Sequence, residues 1–297
     1  MQLVAMFSPE HGPQGVLDRE ILQDSRDPDT GVPVHSLYGK TRRPTAEMLR
    51  GVDTLVFDIQ DIGTRFYTYI STMGYAMQAA AEHKLRFVVL DRPNPTNGLD
   101  VAGPVLDAGR ESFVGFYRLP VRHGMTAGEL ATMFNAELRL GLHLDVVRVE
   151  GWRRGDYFDA TGLRWINPSP NMRNLNEAIL YPGIGLLETT NLSVGRGTPT
   201  PFEWIGAPWL DGKRLAEALD SRKLPGVRFE ATEFTPSSSK FEKQKCQAVR
   251  FTITDRSVLE PVRVGLAVAC ELRRAHRDAW DARAYDRLLG HAESLKA

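Results

Sequence analysis

The sequence predicts an α/β protein in which a doubly wound parallel-sheet domain precedes a second, smaller α/β or α+β domain. Short apolar runs alternate with segments of helical periodicity through the first half of the 297-residue chain. This alternation is typical of a parallel sheet with helices on both faces. A stretch rich in Pro and Asn then interrupts the pattern between about residues 151 and 180. We therefore place the first domain at residues 1–180 and the second at residues 181–297.

Four apolar runs predict the strands of the first domain. Each is rich in Val, Leu, Ile or Phe and almost continuous, as strands buried on both faces are. They read LVAMF at 3–7, TLVFDI at 54–59, RFVVL at 86–90 and LDVVRV at 144–149.

The segments between these runs have the spacing of helices. They lie at residues 45–51, 70–83 and 126–138. In the last segment, Thr126 and Glu129 form the sequence signature of a capping box. Leu130, Met133, Phe134 and Leu138 then mark one apolar face of the same helix.

The second half contains fewer and more varied patterns. An apolar segment at 178–188 leads to a Gly/Thr/Pro-rich loop at 193–201 and to a helix that begins near Asp211. Two strands, at 226–234 and 247–255, and a final helix at 259–276 complete the prediction.

Composition excludes several classes of protein. Lys plus Arg equals Asp plus Glu at 37 each, so no net charge attracts nucleic acid or an anionic membrane. Cys246 and Cys270 are far apart and lack the close Cys/His pairs of a structural zinc site. We find no apolar run long enough to span a membrane and no signal-peptide pattern, so we expect no membrane span.

Polar side chains follow three of the predicted strands, where ligands of open parallel sheets bind. Glu10 and His11 follow the first strand, Asp58 and Asp61 the second, and Asp91, Arg92 and Asn94 the third. His123 precedes the capped helix. An Asp at a strand end is equally consistent with a cap or turn residue, and a lone His with a hydrogen-bonded linker. Glu10 differs, because Glu is a poor turn former and Pro9 and Gly12 restrict the backbone on both sides.

Two further stretches carry candidate binding residues. Arg65 and Tyr67 precede a predicted helix and suit a sugar or anion subsite, although aromatic side chains in such a pattern are usually core. Glu188, Asn191 and Arg196 lie among small residues in LLETTNLSVGRG. The glycines of this loop match neither the P-loop nor the dinucleotide fingerprint.

Other mechanisms are less well supported. The sequence contains no Gly-x-Ser-x-Gly elbow and no His-Glu-x-x-His pattern. Glu10, His11, Asp58 and Asp91 offer hard metal ligands but lack a diagnostic spacing. Paired carboxylates are therefore the simplest chemistry, and we expect neither a metal nor another cofactor.

Long motifs along the chain resemble one family. They include FSPEHG, PVHSLYGKTRRPTAEML, LVFDIQDIGTRFYTYISTMGYAM, VLDRPNPTNGLDVAGPVLD, FVGFYRLPVRHGMTAGELA, PSPNM and YPGIGLLETTNLSVGRGTPTPFEWIGAPW. The family is that of the exo-acting β-N-acetylmuramidases, which remove N-acetylmuramic acid from the non-reducing ends of peptidoglycan fragments. The resemblance covers nearly the whole chain.

The resemblance implies a Rossmann-like first domain, a smaller second domain and an active site in the cleft between them. The glutamate of the family's Ser-Pro-Glu-His-Gly motif corresponds to Glu10. We expect Glu188 to be the second carboxylate, with Asp58 and Asp61 as alternatives and His11 in support. Substrate contacts are expected from Asp61, Arg65, Tyr67, Asp91, Arg92, Asn94, His123, Asn171, Asn191 and Arg196.

The resemblance implies hydrolysis of a terminal muramyl residue, and the carboxylates suit general acid catalysis with a second carboxylate as base or nucleophile. Arg65 or Arg196 would bind the lactyl carboxylate, and muramyl saccharides or muropeptides would be the partners.

Two alternatives are a metal-dependent hydrolase that uses Glu10, His11 and Asp58, and a muramyl-sugar binding protein without activity. The substrate suggests the cell envelope or periplasm, although the cytoplasm is equally compatible. Relatives extend beyond both ends of this sequence, so we expect a shortened chain.

Overall fold

The computed structural model describes residues 2–19 and 21–295. The chain forms two compact units. Unit 1 comprises the described residues up to Asp100, together with Ala108–Arg118 and His123–Pro170. Unit 2 comprises Val101–Asp107, Leu119–Arg122 and the described residues from Asn171 onward. Residues 171–180 thus belong to unit 2, and the predicted domain boundary after residue 180 stays a prediction.

Both units mix helices and strands, which confirms an α/β protein. In chain order the elements are β1 (Met6–Ser8), β2 (Ser25–Arg26), β3 (Pro33–Ser36), β4 (Thr54–Phe57), α1 (Tyr69–Glu82), β5 (Arg86–Leu90), β6 (Ala102–Val105), β7 (Pro120–Arg122), α2 (Ala127–Glu137), β8 (His143–Val147), α3 (Leu175–Ile184), β9 (Trp204–Ala207), α4 (Gly212–Ser221), β10 (Val227–Phe234), β11 (Cys246–Ile253), α5 (Pro261–Ala275) and α6 (Asp286–Leu289). Short 3-10 helices lie at Phe158–Thr161, Gly185–Thr189 and Glu293–Leu295.

The main sheet of unit 1 consists of β4, β5 and β8, all parallel. Helix α1 lies in the chain between β4 and β5, and α2 between β5 and β8, as parallel strands require crossover connections. Leu55 and Phe57 are buried, whereas Val56 is 48% exposed. The sheet was expected to be covered on both faces, but at Val56 one face is open.

The first predicted strand does not belong to this sheet. Instead, β1 pairs in parallel with β3, and β3 pairs antiparallel with β2. The sequence analysis did not predict β3, because Pro33 and the consecutive polar residues His35 and Ser36 leave only Val34 as an apolar strand residue.

Helices α1 and α2 form where the periodicity predicts them. At the start of α2, the Thr126 side chain accepts a hydrogen bond from the Glu129 amide, and the Glu129 carboxylate accepts one from the Thr126 amide. This confirms the predicted capping box. Leu130 and Phe134 are 0% exposed and form the centre of the apolar face.

The helix predicted at residues 45–51 is wrong. Residues 46–51 form a series of turns. The Leu49 amide bonds to the Thr45 carbonyl four residues back, but the Arg50 and Val52 amides each bond only three residues back. A seven-residue segment that ends at Gly51 is too short to stabilise a regular helix.

Unit 2 is built on an antiparallel sheet in the order β10, β11, β9, with helices α3, α4 and α5. Helices α3 and α5 approach each other very closely at two glycines. A β-carbon built on Gly183 would lie 1.8 Å from the Pro261 carbonyl oxygen, and one on Gly265 would lie 2.3 Å from the Gly183 carbonyl oxygen. Only glycine fits at this crossing.

Among the described residues, the structure contains no helix that is both long and apolar enough to span a membrane.

Candidate active site

The loop after β1 holds Glu10 in a tightly bonded turn. His11 has a positive φ of 74°, and Gly12 one of 80°. The Gly12 amide bonds to the Pro9 carbonyl at 3.3 Å, and the Leu17 amide bonds to the His11 carbonyl at 3.0 Å. Left-handed backbone at a non-glycine residue is costly, so this loop conformation is maintained by its own hydrogen bonds.

His11 supports this loop. Its Nδ1 lies 2.7 Å from the Leu17 carbonyl oxygen. A carbonyl can only accept, so Nδ1 carries a proton and the neutral ring has its lone pair on Nε2. The ring also meets Tyr69 edge to face, with centroids 6.5 Å apart.

Glu10 is half-buried and accepts hydrogen bonds from two hydroxyl groups. Thr68 donates to Glu10 Oε2 at 2.5 Å, and Tyr38 donates through its phenol. Burial and the Glu10 carboxylate raise the pKa of Tyr38 to about 12, so this phenol stays protonated and remains a donor at neutral pH.

Two further tyrosines lie nearby. The Tyr67 and Tyr69 rings meet edge to face at 5.0 Å, and the Tyr69 hydroxyl donates to the Pro168 carbonyl. Burial and, secondly, the charge of Glu10 raise the pKa of Tyr69. Both tyrosines are at most 7% exposed, so each ring is chiefly part of the packed interior next to the Glu10 loop.

Asp61 and His123 form a buried pair. Their exposed fractions are 6% and 3%, and His123 Nε2 lies 3.3 Å from Asp61 Oδ2. The same Asp61 oxygen accepts the Gly63 amide at 2.7 Å. His123 Nδ1 accepts the Met125 amide at 3.2 Å, which places the proton of the neutral ring on Nε2, facing Asp61. This pair fixes the loop after β4 beneath the surface.

Asp58 and Arg92 form an ion pair on the surface of unit 1. Arg92 donates to Asp58 Oδ1 through Nε at 2.9 Å and Nη2 at 2.6 Å. The side chains are 47% and 43% exposed, and exposed ion pairs contribute little to stability. Asp58 as an alternative catalytic carboxylate and Arg92 as a substrate contact stay predictions.

Asp91 and Asn94 have structural partners. Asp91 accepts hydrogen bonds from Thr126 Oγ1 and the Gly128 amide, both at 2.8 Å. The Asn94 amide group donates to the Met125 carbonyl at 3.0 Å and accepts from the Thr96 amide at 3.1 Å. Asp91 thus anchors the start of α2, as the cap alternative for this Asp predicts, and Asn94 closes a turn; a substrate contact at either residue stays a prediction.

Arg65 is entirely buried. Its exposed fraction is 0%, and burial lowers its pKa to about 10. A side chain with no exposed surface is poorly placed to meet a substrate carboxylate, and the expected binding role of Arg65 stays a prediction.

In unit 2, Glu188 lies in the 3-10 helix Gly185–Thr189. It forms an ion pair with Arg196, and each side chain is 23% exposed. Lys240 donates to the Glu188 carbonyl oxygen, and burial lowers the pKa of this lysine. The sequence analysis thus selected two residues, Glu188 and Arg196, that the fold brings into direct contact.

The two asparagines of unit 2 differ. Asn191 donates to the Ala279 carbonyl at 2.8 Å and accepts from the Asp281 amide at 2.7 Å, so its side chain connects two segments of backbone. Asn171 is buried, with 6% exposed.

Sequence analysis missed a buried carboxylate pair in unit 2. Glu177 is 0% exposed and Glu203 8%. Asn174 accepts the Glu177 amide at 3.0 Å and donates to Glu203 Oε1 at 3.2 Å. Burial, and then the Glu203 charge, raise the pKa of Glu177 to about 7, and burial also raises the pKa of Glu203. The Asn-x-x-Glu spacing of Asn174 and Glu177, which resembles a capping box, was the available signal.

No group of three or more His, Cys, Asp or Glu side chains within residues 2–19 and 21–295 is arranged to hold a metal ion. The chemistry that the described site offers is that of a half-buried carboxylate held by two hydroxyl donors.

The fold and this loop define a class of two-unit α/β proteins in which a half-buried carboxylate follows the first strand. The chain belongs to the exo-β-N-acetylmuramidase family: the family model for the N-terminal part matches residues 1–176, and the model for the C-terminal part matches residues 179–297.

One relative is the peptidoglycan β-N-acetylmuramidase NamZ of Bacillus subtilis (strain 168). It is 51% identical over 269 residues, which are 90% of this chain and 65% of the relative. The chain therefore spans about 65% of the length of this curated relative.

Two solved structures of DUF1343 family proteins from Bacteroides fragilis NCTC 9343 are also similar. One has a TM-score of 0.89 and 41% identity, covering 99% of this chain and 78% of that protein. The other has a TM-score of 0.76 and 32% identity, covering 99% and 77%.

Proposed function

We propose that this chain is an exo-acting glycoside hydrolase that releases terminal N-acetylmuramic acid from the non-reducing ends of peptidoglycan fragments. The relative from Bacillus subtilis is named for peptidoglycan β-N-acetylmuramidase activity. The observation that carries the proposal within this chain is Glu10, a half-buried carboxylate with Thr68 and Tyr38 as hydroxyl donors. Muramyl saccharides or muropeptides are the proposed partners.

Glu10 takes the first carboxylate role. Its hydroxyl partners fix the orientation of the carboxyl group, and such positioning is what a general acid or nucleophile needs. Glu188 is the proposed second carboxylate, because its ion pair with Arg196 holds a charged, partly exposed carboxylate in place. His11 and His123 act as positioning residues, since His11 holds the loop of Glu10 and His123 pairs with Asp61.

We further propose a Rossmann-like assignment for unit 1. Two consecutive strand–helix–strand units with parallel pairing, β4–α1–β5 and β5–α2–β8, support it. The Glu10 loop follows the carboxyl end of β1, which pairs in parallel with β3 in a separate small sheet.

The test is chromophore release from an aryl β-N-acetylmuramide, with the aryl β-N-acetylglucosaminide as the control substrate. It uses the wild-type chain, Glu10→Gln, and the matched Glu47→Gln control, which changes an exposed glutamate of unit 1. We expect muramide-selective turnover that Glu10→Gln reduces at least about 100-fold and that the control retains. Turnover by Glu10→Gln at the wild-type rate would refute the assigned role.

A parallel series with EDTA distinguishes the metal-dependent alternative. Carboxylate chemistry predicts unchanged turnover, whereas a metal-dependent hydrolase loses activity and regains it when a divalent cation is added. A folded chain that binds N-acetylmuramic acid without turnover would instead identify a binding protein.

A further inference from the structure

Arg42 lies beside the Glu10 loop and is not used by the proposed mechanism. Its guanidinium carbon is 3.8 Å from the centroid of the Tyr38 ring and 4.4 Å from that of Phe113. Phe113 in turn lies parallel to Tyr75, with ring centroids 6.3 Å apart and an interplanar angle of 8°. The cation is therefore held on an aromatic platform, which orients it before any ligand arrives.

One nitrogen of this guanidinium is unsatisfied. Arg42 Nη1 is buried and has no hydrogen-bond partner among the residues that the structure describes. A buried donor on a charged group is costly unless it is paired. A ligand anion that accepts from Nη1 would remove this cost.

The position of Arg42 relative to Glu10 indicates which ligand anion would bind to the guanidinium. Tyr38 joins the two, since its hydroxyl contacts the Glu10 carboxylate and its ring face contacts the guanidinium. The cation is thus about one tyrosine ring away from the proposed acid. In N-acetylmuramic acid the lactyl ether is on C3, two bonds from the anomeric carbon, and its carboxylate extends a similar distance from the scissile bond.

We propose that Arg42 recognises the lactyl carboxylate and thereby sets the preference for muramyl over glucosaminyl sugars. The inference rests on the proposed function for its substrate, and it replaces Arg65, which is 0% exposed. The neighbouring Arg43 has a different role, because it forms an ion pair with Glu82 on the surface.

Two readouts test the proposal. The first is the affinity for free N-acetylmuramic acid and for N-acetylglucosamine, measured by calorimetry or NMR titration. The second is kcat and KM for the two aryl glycosides. The variants are Arg42→Met, which keeps apolar contact with the rings but removes the charge, Arg42→Lys, and Arg43→Met as the matched control.

We expect the wild-type chain and Arg43→Met to bind N-acetylmuramic acid more tightly than N-acetylglucosamine. Arg42→Met should weaken only the muramic acid complex, about 10- to 100-fold, the size of lost hydrogen bonds to a charged group. Arg42→Lys should recover part of the loss. For turnover, the effect should appear in KM for the muramide and not in kcat.

Equal losses for both sugars, or a drop in kcat alone, would assign Arg42 a structural role through Tyr38 and overturn the proposal. So would a wild-type chain that does not prefer muramic acid. Selective binding that depends on Arg42 in a chain without turnover would support the proposal while refuting the hydrolase function, so the two failures are distinguishable.

Discussion

Thr68 donates its hydroxyl hydrogen to Glu10 at 2.5 Å although it occupies the N-cap position of helix α1. A threonine there ordinarily accepts a hydrogen bond from the first turn, and the Thr68 side chain makes no such cap. Since this local rule is broken in favour of Glu10, the arrangement is typical of a functional site.

Replacing Thr68 with Val should therefore impair turnover more than stability. The change removes a hydrogen bond to a charged group, and we expect kcat/KM for the muramide to fall roughly 10-fold. Thr132→Val is the control, because Thr132 is exposed on α2 and donates only to the Gly128 carbonyl. Equal activity of the two variants in the chromogenic assay would show that Glu10 does not depend on Thr68.

The phenol of Tyr38 should titrate at lower pH once Glu10 is neutral. Burial, and then the adjacent Glu10 carboxylate, which disfavours the phenolate, raise the pKa of Tyr38 to about 12. Glu10→Gln removes that charge, so the pKa should fall toward its ordinary value while the effect of burial remains. NMR of the labelled Tyr38 ring across an alkaline titration measures the shift; a pKa unchanged from the wild-type value would contradict the contact.

Removing the carboxylate of Asp91 should lower stability. Asp91→Ala removes acceptors for Thr126 Oγ1 and the Gly128 amide, and we expect the free energy of unfolding to fall by about 1–3 kcal/mol. Urea denaturation measures the loss. If Asp91 instead contacted substrate, KM would rise at unchanged stability.

The buried Glu177 should make stability depend on pH. Burial raises its pKa in the folded chain to about 7 from an ordinary value of 4.5, so the folded state binds more protons between these two pH values. The contribution of Glu177 to the free energy of unfolding is fully present below the ordinary pKa of 4.5. It is lost as pH rises to and through the folded-state pKa of about 7, by at most about 1.4 kcal/mol per pH unit. Glu203 and Arg173 also face this carboxyl group and contribute to its titration.

Glu177→Gln should flatten the pH dependence of the free energy of unfolding between about pH 5 and 7. Glu217→Gln, a change of an exposed glutamate on α4, is the control and should keep the wild-type slope. Parallel pH profiles for all three proteins in urea denaturation would show that Glu177 is already charged in the folded state.

A methyl group at Gly183 should be severely destabilising. Its β-carbon would lie 1.8 Å from the Pro261 carbonyl, and backbone cannot move as a flexible side chain can. We expect Gly183→Ala to unfold at a lower temperature by several degrees or more, with a loss of more than about 3 kcal/mol. Gly155→Ala, where the nearest atom is 3.5 Å away on Leu99, should change the melting temperature much less.

Local patterns in the sequence predicted local structure well. The run at 86–90 matches β5 residue for residue, and the capping box of Thr126 and Glu129 is present. These features depend on residues a few positions apart. The helix at 45–51 failed because the same apolar spacing suits consecutive turns when Gly51 ends the segment after seven residues.

Contacts between residues that are far apart in the chain could not be predicted from the sequence. The sequence showed that Asp58, Asp91 and Glu10 each follow a predicted strand. It did not show which of these carboxylates would form an ion pair or hydrogen bonds with a residue distant in the chain. Arg92 lies 34 positions from Asp58, and Thr68 lies 58 positions from Glu10. Only the pairing of strands and helices determines that Asp58 is in a surface ion pair and that Glu10 meets two hydroxyl groups.

The strand order has a consequence for how the chain folds. Pairing β5 with β8 brings together Arg86 and His143 and closes a long loop before any ladder bond forms, whereas β10 and β11 are neighbours in sequence. Loop closure costs more entropy as loops lengthen, and non-local pairing is slow. Pulsed hydrogen exchange during refolding should therefore protect the amides of β10 and β11 before those of β5 and β8.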